Sequence, residues 1–192
     1  MSANGQTAHP PCVCPRESVP KLTELIAYLD SLTGRADLKT LAGLLAKLNV
    51  TQADVAPACI FGERGYRRNR ISGSEHYELL ALCWHSGDRT PIHDHKGVSC
   101  AFRVVEGTGT EIRFAVTASG LVCPTEVCQM KPGHVCAADD ADIHEVANFQ
   151  AAGQDLVTLH IYSPPIKKMN TYDFSSPVTA ETSPQYGAVQ DC

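Results

Sequence analysis

The first third of the chain carries apolar residues at helical spacing. Two runs recur every three or four positions, namely Leu22, Leu25, Ile26, Leu29 and Leu32, then Leu38, Leu41, Leu44, Leu45 and Leu48. This period buries one face of a helix. Gly34 is suited to end the first run, and Thr51 with Asp54 has the spacing of a capping box that opens a third, shorter helix. Residues 20–60 are therefore predicted to form two or three helices.

After Tyr66 the pattern changes to short apolar runs that are typical of strands. Residues 77–85 ("YELLALCWH") form a nearly continuous apolar run, and later runs are separated by turns such as "EGTGTE", "ASG" and "QAAGQ". Turns at intervals of about ten residues indicate antiparallel strands. The predicted fold class is mainly β, an antiparallel barrel or sandwich with two or three N-terminal helices.

Length and charge limit the number of domains and the kinds of partner. The chain has 192 residues, of which 43% are apolar, which is enough for one core of ordinary size. We predict a flexible segment at 1–18, a single domain over 19–175 and a loose tail at 176–192. A net charge of −5 without a basic block argues against nucleic acid. No apolar run reaches the length of a membrane helix. We also expect the protein to be a monomer.

The nine cysteines are scattered along the chain. The first residues lack the pattern of a secretory signal, so we expect reduced thiols in a cytoplasmic protein. Four side chains of types that can bind metals lie close together in the sequence, at Cys123, Cys128, His134 and Cys136. Their spacing matches no zinc or iron–sulfur pattern, and we interpret the cysteines as thiols on strands.

Two histidines stand out at the start of a β-branched, apolar run. His93 and His95 are two residues apart, so on a strand both side chains would lie on one face, with Asp94 pointing away. A single histidine on a strand is usually structural. Two in register favour a metal site.

The wider spacing resembles the motifs of the cupin superfamily. Five positions fit the first motif: Gly87, His93, His95, Cys100 and Gly107. That motif usually has glutamate where this chain has Cys100. The pair His144 and Asn148 resembles the second motif, without the proline and glycine that normally precede it. The resemblance implies three histidines inside one β-barrel.

Ligand type alone leaves the metal open, because imidazole suits zinc, copper, iron and nickel. Without a carboxylate ligand, a divalent ion keeps its full charge and accepts an anionic ligand such as a thiolate more readily. Octahedral iron with three histidines has three further positions for ligands. Zinc with three histidines and one water is the competing interpretation.

Five stretches in order identify a closer resemblance over about residues 20–174. They are "YRRN", "LCW", "IHDH" with Cys100, "IHEVAN" and "HIYSPP". Together they resemble the cysteine dioxygenase type I family, iron cupins that oxidise a thiol to a sulfinate. The resemblance implies Fe(II) held by His93, His95 and His144, with L-cysteine and O₂ as the substrates.

The same resemblance implies roles for residues around the metal. Arg68, in the Tyr-x-Arg-Asn frame with Tyr66, would bind the substrate carboxylate through parallel hydrogen bonds. Family members that prefer 3-mercaptopropionate generally have glutamine there, so Arg68 argues for L-cysteine. Thr158, His160 and Tyr162 match the family's Ser-His-Tyr relay, with threonine keeping the hydroxyl of serine. A core histidine and a core tyrosine are the plainer interpretation.

Three further features follow from the resemblance. Cys100 and Tyr162 are the partners of a thioether cross-link in eukaryotic members, and a buried free thiol is the alternative for Cys100. Ser163–Pro164 is a candidate cis peptide bond. Met169 stands where eukaryotic members have a cysteine near the pocket, which bears on substrate choice.

Three other functions are compatible with the sequence. One is a thiol dioxygenase acting mainly on 3-mercaptopropionate or on cysteamine, although cysteamine has no carboxylate for Arg68 to bind. The second is a zinc or nickel cupin of another reaction class. The third is a non-catalytic cupin that senses a thiol or a metal, for which the pair His160 and Tyr162 would have no use.

Overall fold

A computed structural model of the chain describes residues 16–138, 142–177 and 180–184. Three α-helices come first: α1 (Thr23–Asp30), α2 (Leu38–Lys47) and α3 (Gln52–Val55). Short 3₁₀ turns precede α1 at Pro20–Leu22 and follow α3 at Ala56–Ala58. The predicted group of two or three N-terminal helices is therefore confirmed.

The remaining elements are strands. In chain order they are β1 (Arg67–Gly73), β2 (Glu78–Trp84), β3 (Ile92–His93), β4 (Ser99–Glu106), β5 (Gly109–Val116), β6 (Val122–Met130), β7 (Val135–Ala138), β8 (Ile143–Ala147), β9 (Leu156–Ser163), β10 (Met169–Tyr172) and β11 (Ala180–Thr182). They form a five-stranded sheet in the order β1-β2-β9-β4-β7 and a six-stranded sheet in the order β11-β10-β3-β8-β5-β6. Neighbouring strands pair antiparallel, which confirms the predicted mainly β, antiparallel class.

Local hydrogen bonds explain where the helices begin and end. The predicted capping box of α3 is present, because the Asp54 carboxylate accepts from the Thr51 backbone N–H at 2.8 Å and from its hydroxyl at 2.7 Å. The first helix ends at Asp30, earlier than the expected stop at Gly34. Ser31 closes its last turn, since the Ser31 hydroxyl donates to the Tyr28 carbonyl at 2.6 Å.

The five-stranded sheet has two different buried faces. One face carries Leu79, Ala81 and Cys83 of β2 with Val157, Leu159 and Ile161 of β9, and it packs against the helices. The other face carries Leu80, Leu82 and Trp84, and it packs against residues of the six-stranded sheet such as Met130 and Val146. Successive residues of a strand alternate between faces, so the interior between the sheets receives every second side chain of β2 and β9.

Two backbone features lie at the ends of strands. Gly107 follows β4 with φ 76°, and a Cβ atom there would lie 2.3 Å from the Asp155 carbonyl oxygen. Only glycine fits both that φ and that contact. The peptide bond between Ser163 and Pro164, at the end of β9, is cis, as predicted.

The predicted terminal segments are described in part. Residues 1–15 of the segment expected to be flexible lie outside the described residues. Within the expected loose tail at 176–192, Ala180–Thr182 forms strand β11 and pairs with β10. No helix in the described ranges is long and apolar enough to span a membrane.

Candidate metal centre

Three buried histidines from two strands and a turn come together in the interior. His93, at the end of β3, lies directly opposite His144 on β8. His95 follows two residues later, and the ligand nitrogens of the three side chains lie within 4.8 Å of one another. In the described parts of the chain, this is the one group of histidine, cysteine or acidic side chains that could hold a metal ion. Cys123, Cys128, His134 and Cys136 do not form another.

His95 reaches the group by a different route from the one expected. Strand β3 ends at His93, so His93 and His95 do not share a strand face. After His95 the chain turns through two residues with positive φ, Lys96 at 45° and Gly97 at 85°. The Val98 N–H closes this turn on the His95 carbonyl oxygen at 3.1 Å. The turn carries the His95 ring to 4.8 Å from the ring of His144, between centroids.

Hydrogen bonds orient the imidazoles of His93 and His144. The Nδ1 atom of His93 lies 3.0 Å from the Pro91 carbonyl oxygen, and that of His144 lies 2.8 Å from a carboxylate oxygen of Glu111. A neutral imidazole that donates through Nδ1 has Nε2 available as a ligand atom. Burial, followed by the neighbouring histidines, lowers the pKa of His93 well below its usual value. Buried imidazoles oriented in this way fit a metal ion.

Asp94 lies outside the group, as its place between the two histidines predicted. Its carboxylate accepts from the Asn170 backbone N–H at 3.1 Å, from the Asn170 amide at 2.8 Å and from the Tyr172 hydroxyl at 2.8 Å. These bonds tie the end of β3 to β10. Asp94 therefore supports the metal group through the backbone.

A carboxylate that the sequence analysis missed lies behind His144. Glu111 on β5 is 3% exposed, and besides His144 it accepts from Arg113 Nε at 3.3 Å and from the Cys136 thiol at 3.3 Å. Burial acts to raise the pKa of Glu111, but the hydrogen bond and charge of His144, together with Cys136 and Arg113, lower it to about 2. The alternation of Glu111 and Arg113 on one strand face was the only sequence signal.

Strand β9 brings a chain of polar side chains to the same interior. The Thr158 hydroxyl oxygen accepts from the Trp84 indole N–H at 3.0 Å and lies 3.0 Å from His160 Nε2. His160 Nδ1 lies 3.3 Å from the Tyr162 hydroxyl. Burial, followed by Arg68, lowers the pKa of His160 well below its usual value, and burial, followed by Cys100, raises that of Tyr162 well above. Both rings are therefore neutral near pH 7.

Arg68 is a buried cation at the edge of this interior. Its guanidinium lies 3.2 Å from a carboxylate oxygen of Glu78 and 5.0 Å from the centre of the Tyr162 ring. Glu78, which the sequence analysis also missed, sits directly opposite Tyr162 in the pairing of β2 with β9. A buried cation needs such a partner. Tyr66, just before β1, stacks on Trp84 with ring centres 4.3 Å apart.

Cys100 is a buried free thiol beside Tyr162. The two residues are directly opposite in the pairing of β4 with β9, so their Cβ atoms are neighbours across the strands. Burial raises the pKa of the Cys100 thiol well above its usual value. Cys100 is not part of the three-histidine group.

These side chains enclose one small cavity of about 10 Å³, which is room for about one water molecule. Its lining includes most of the predicted site residues: Tyr66, Arg68, His93, Cys100, His144, His160 and Tyr162. His95 and Thr158 contact lining residues. A larger surface cavity of about 650 Å³ shares Tyr66 and Met169 with the small one. The structure therefore groups all nine predicted site residues in one place.

Comparison with known proteins identifies the family of the chain. The family model described as cysteine dioxygenase type I matches residues 13–175. The chain belongs to this family. It is similar to human cysteine dioxygenase type 1, with 28% identity over 117 residues that cover 59% of this chain and 58% of the relative. It is also similar to the Bos taurus protein of that name, with 25% identity over 158 residues covering 79% and 78%.

The similarity to the curated cysteine dioxygenases is partial. The matched part of the chain spans less than two thirds of the human relative's length. Among solved structures, a Klebsiella pneumoniae protein with a double-stranded β-helix domain aligns with a TM-score of 0.48 at 13% identity, covering 62% of this chain and 93% of that one. The facing antiparallel sheets and the family membership confirm the predicted cupin-type fold.

Asn148, the second residue of the motif that contains His144, has a structural position in this cysteine dioxygenase family member. It is fully buried, and its amide donates to the Trp84 carbonyl at 3.2 Å and to the Gln154 carbonyl at 2.9 Å. Its side-chain oxygen accepts from the Gln150 backbone at 3.2 Å. Asn148 thus joins the loops at one end of β2 and β9 and does not line the small cavity.

Replacing Thr158 by valine tests the polar chain on β9. The change removes the acceptor of the buried Trp84 N–H, so we expect the free energy of unfolding to fall by about 1–3 kcal/mol. Thr158→Ser keeps the hydroxyl and should cost less. Urea unfolding of both variants measures the difference. Repeating Thr158→Val in a Trp84→Phe background, where the donor is gone, should show a smaller loss; an equal loss in both backgrounds would contradict the bond.

Proposed function

We propose that this protein is a thiol dioxygenase that converts L-cysteine and O₂ to cysteine sulfinate, with Fe(II) held by His93, His95 and His144. The observation that carries the proposal is the placement of a buried arginine and the pair His160 and Tyr162, backed by Thr158, around the small cavity that His93 and His144 of the three-histidine group line. The reaction balances without another reductant, because the thiol sulfur supplies all the electrons and receives both oxygen atoms.

The three-histidine group fits iron in this role. Its imidazoles are buried, and no carboxylate belongs to the group, so a divalent ion there would keep its full charge. Iron, when bound, would supply a site at which thiol and O₂ meet and electrons pass from sulfur to oxygen. The same charge would favour the deprotonated form of a bound thiol.

Arg68 would hold the carboxylate of the substrate. A guanidinium presents five N–H donors in a planar fork, so it can keep its bond to Glu78 and still donate to a second carboxylate. The contact with the Tyr162 ring and the bond to Glu78 fix the plane of that fork. The rigid guanidinium would then set the distance of the substrate's thiol from the three histidines.

Tyr162 would act through its neutral hydroxyl. The high pKa that burial gives the phenol keeps its proton in place near pH 7, so the hydroxyl can donate a hydrogen bond into the cavity. His160 and Thr158 would orient it from behind, since the bonds from Thr158 to His160 and on to Tyr162 are continuous. Phe102 stacks on the His160 ring at 4.6 Å between ring centres and holds it in that plane.

The size of the cavity bears on how the substrate reaches the site. About 10 Å³ does not hold an amino acid, so side chains must move when L-cysteine binds. Tyr66 and Met169 line both the small cavity and the larger surface cavity. These two residues would therefore line the entrance through which a thiol reaches the small cavity.

Oxygen consumption by the Fe(II)-loaded protein tests the proposed function. L-Cysteine, 3-mercaptopropionate and cysteamine are offered in parallel, and products are identified by mass. We expect L-cysteine to be used best, with one sulfinate formed for each O₂. Best use of 3-mercaptopropionate would assign the other thiol specificity, and binding of thiols without oxygen uptake would favour a sensing cupin. Zinc in place of iron after purification, with no thiol turnover on iron loading, would favour another reaction class.

Replacing Arg68 by glutamine tests the carboxylate contact. Hydrogen bonds to charged groups contribute about 1.5–3 kcal/mol, so we expect kcat/KM for L-cysteine to fall roughly 10- to 100-fold. Use of 3-mercaptopropionate should fall less, because glutamine is the residue of family members that prefer it. The double variant Arg68→Gln/Glu78→Gln avoids an unpaired buried carboxylate. It should show the same change in thiol preference as Arg68→Gln alone. An unchanged preference between the thiols in both variants would remove Arg68 from this role.

The pairing of Cys100 with Tyr162 supports a thioether cross-link formed during turnover. The link joins the Cys100 sulfur to a ring carbon, and O₂ would take up the two electrons and two protons that are lost. We expect the intact mass after extended turnover to fall by two hydrogens, and a peptide containing both residues to appear. Cys100→Ala is the control and should keep its mass. An unchanged mass of the original protein after many turnovers would leave Cys100 a free thiol.

A further inference from the structure

The Nδ1 atoms of His93 and His144 face chemically different acceptors. His93 faces a backbone carbonyl, that of Pro91, at 3.0 Å. His144 faces the carboxylate of Glu111 at 2.8 Å, and both side chains of that pair are 3% exposed. Hydrogen bonds to a charged acceptor are stronger than those to a neutral one. The pairing of β5 with β8, in which Arg113 is opposite His144 and Glu111 is opposite Val146, fixes this approach.

We propose that Glu111 is a positioning residue that fixes the His144 ring with Nε2 toward the metal and supplies negative charge one hydrogen bond away from it. The inference deepens the proposed function, and it rests on the three-histidine metal site alone. A carboxylate behind a metal-binding histidine fixes the ring's tautomer and raises its basicity. Glu111 thus gives the centre the carboxylate that its ligand set lacks.

The contacts around Glu111 fit this positioning role better than they fit a chance contact with His144. One of its oxygens accepts from His144 and from the Cys136 thiol at 3.3 Å, and the other accepts from Arg113 Nε at 3.3 Å. Cys136 is buried, and burial raises the pKa of its thiol to about 12, so it remains a neutral donor. A carboxylate with donors on both oxygens has little freedom to turn away from His144.

Glu126, a second carboxylate near Arg113, provides a control for the role of Glu111. The Arg113 guanidinium lies 3.3 Å from Glu111 and 3.9 Å from Glu126, a carboxylate on the neighbouring strand β6. The side chain of Glu126 is 64% exposed, and it does not contact the histidines. Replacing Glu126 removes the same charge from the same arginine without touching His144.

The test measures metal binding by Glu111→Gln and by Glu126→Gln. Glutamine keeps the shape of the side chain but loses its charge, and its amide can donate to Nδ1, which favours the tautomer with a hydrogen on Nε2. Competition with a chelator for Zn²⁺ and for Fe²⁺ gives the dissociation constants. We expect Glu111→Gln to weaken binding by about 10- to 100-fold, the usual effect of such partners, and Glu126→Gln to bind like the original protein.

A second readout follows the imidazole directly. Nitrogen-15 NMR of the Zn²⁺-loaded protein should show one histidine whose Nδ1–H signal shifts in Glu111→Gln and stays in place in Glu126→Gln. A structural role alone would lower the unfolding temperature of the metal-free protein without changing this signal. If Glu111→Gln does not fold, Glu111→Asp keeps the charge, withdraws it by one methylene and should still bind metal more weakly.

Unchanged metal affinity and an unchanged Nδ1–H signal in Glu111→Gln would overturn the proposal. Equal weakening in Glu111→Gln and Glu126→Gln would also overturn it, because the effect would then come from Arg113 and the general charge. Neither experiment uses a thiol or O₂. The outcome is therefore independent of whether the protein proves to oxidise L-cysteine.

Discussion

The candidate site depends on the double pairing of strand β9. This strand lies between β2 and β4 over most of its length, and each of its eight residues is buried. Its apolar residues Val157, Leu159 and Ile161 pack against the helices, which leaves the alternate residues facing the interior. A shift of one position would turn the polar set outward against leucines. Hydrophobic packing on one face therefore holds the hydroxyl, the imidazole and the phenol in place on the other.

Two buried carboxylates near the cavity have partners on neighbouring strands. Arg68 of β1 meets Glu78 of β2, and His144 of β8 meets Glu111 of β5. Removing one member of such a pair leaves a buried charge without compensation, which costs several kcal/mol, whereas the intact pair contributes little net stability. The pairs are thus better understood as constraints on orientation. In each pair, a carboxylate outside the cavity lining holds a side chain that lines the cavity.

Local patterns in the sequence predicted the elements and part of the site. The leucine spacing predicted the helices, and the resemblance to the family's Ser-His-Tyr relay grouped Thr158, His160 and Tyr162. His93 and His144 followed from motif spacing. The turn at Lys96 and Gly97 was missed because the apolar run after it resembles a continuous strand. The end of α1 at Asp30 was missed because leucine spacing continues to Leu32 while Ser31 closes the turn.

The partners across strands lay beyond the reach of one sequence. Glu111 and His144 are separated by 33 positions and meet only because β5 pairs with β8. Local propensity does not encode that pairing, since either strand would read the same beside another neighbour. Glu78 belongs to a run that reads as wholly buried and apolar apart from itself, and its partner Arg68 stood among four arginines in "ERGYRRNR". The burial of both Arg68 and Glu78 decided which of the four arginines pairs with Glu78.

The position of Cys100 shows how the charge of such a centre can be set from a distance. The cupin frame usually places glutamate there, where it can be a metal ligand. In this chain Cys100 faces Tyr162, and the carboxylate of the centre stands behind His144. A direct carboxylate ligand would cancel one unit of an ion's charge and occupy one position around it. A carboxylate behind an imidazole would act through the ring, so it would stabilise a bound ion while leaving that position and most of the charge to an anionic thiol.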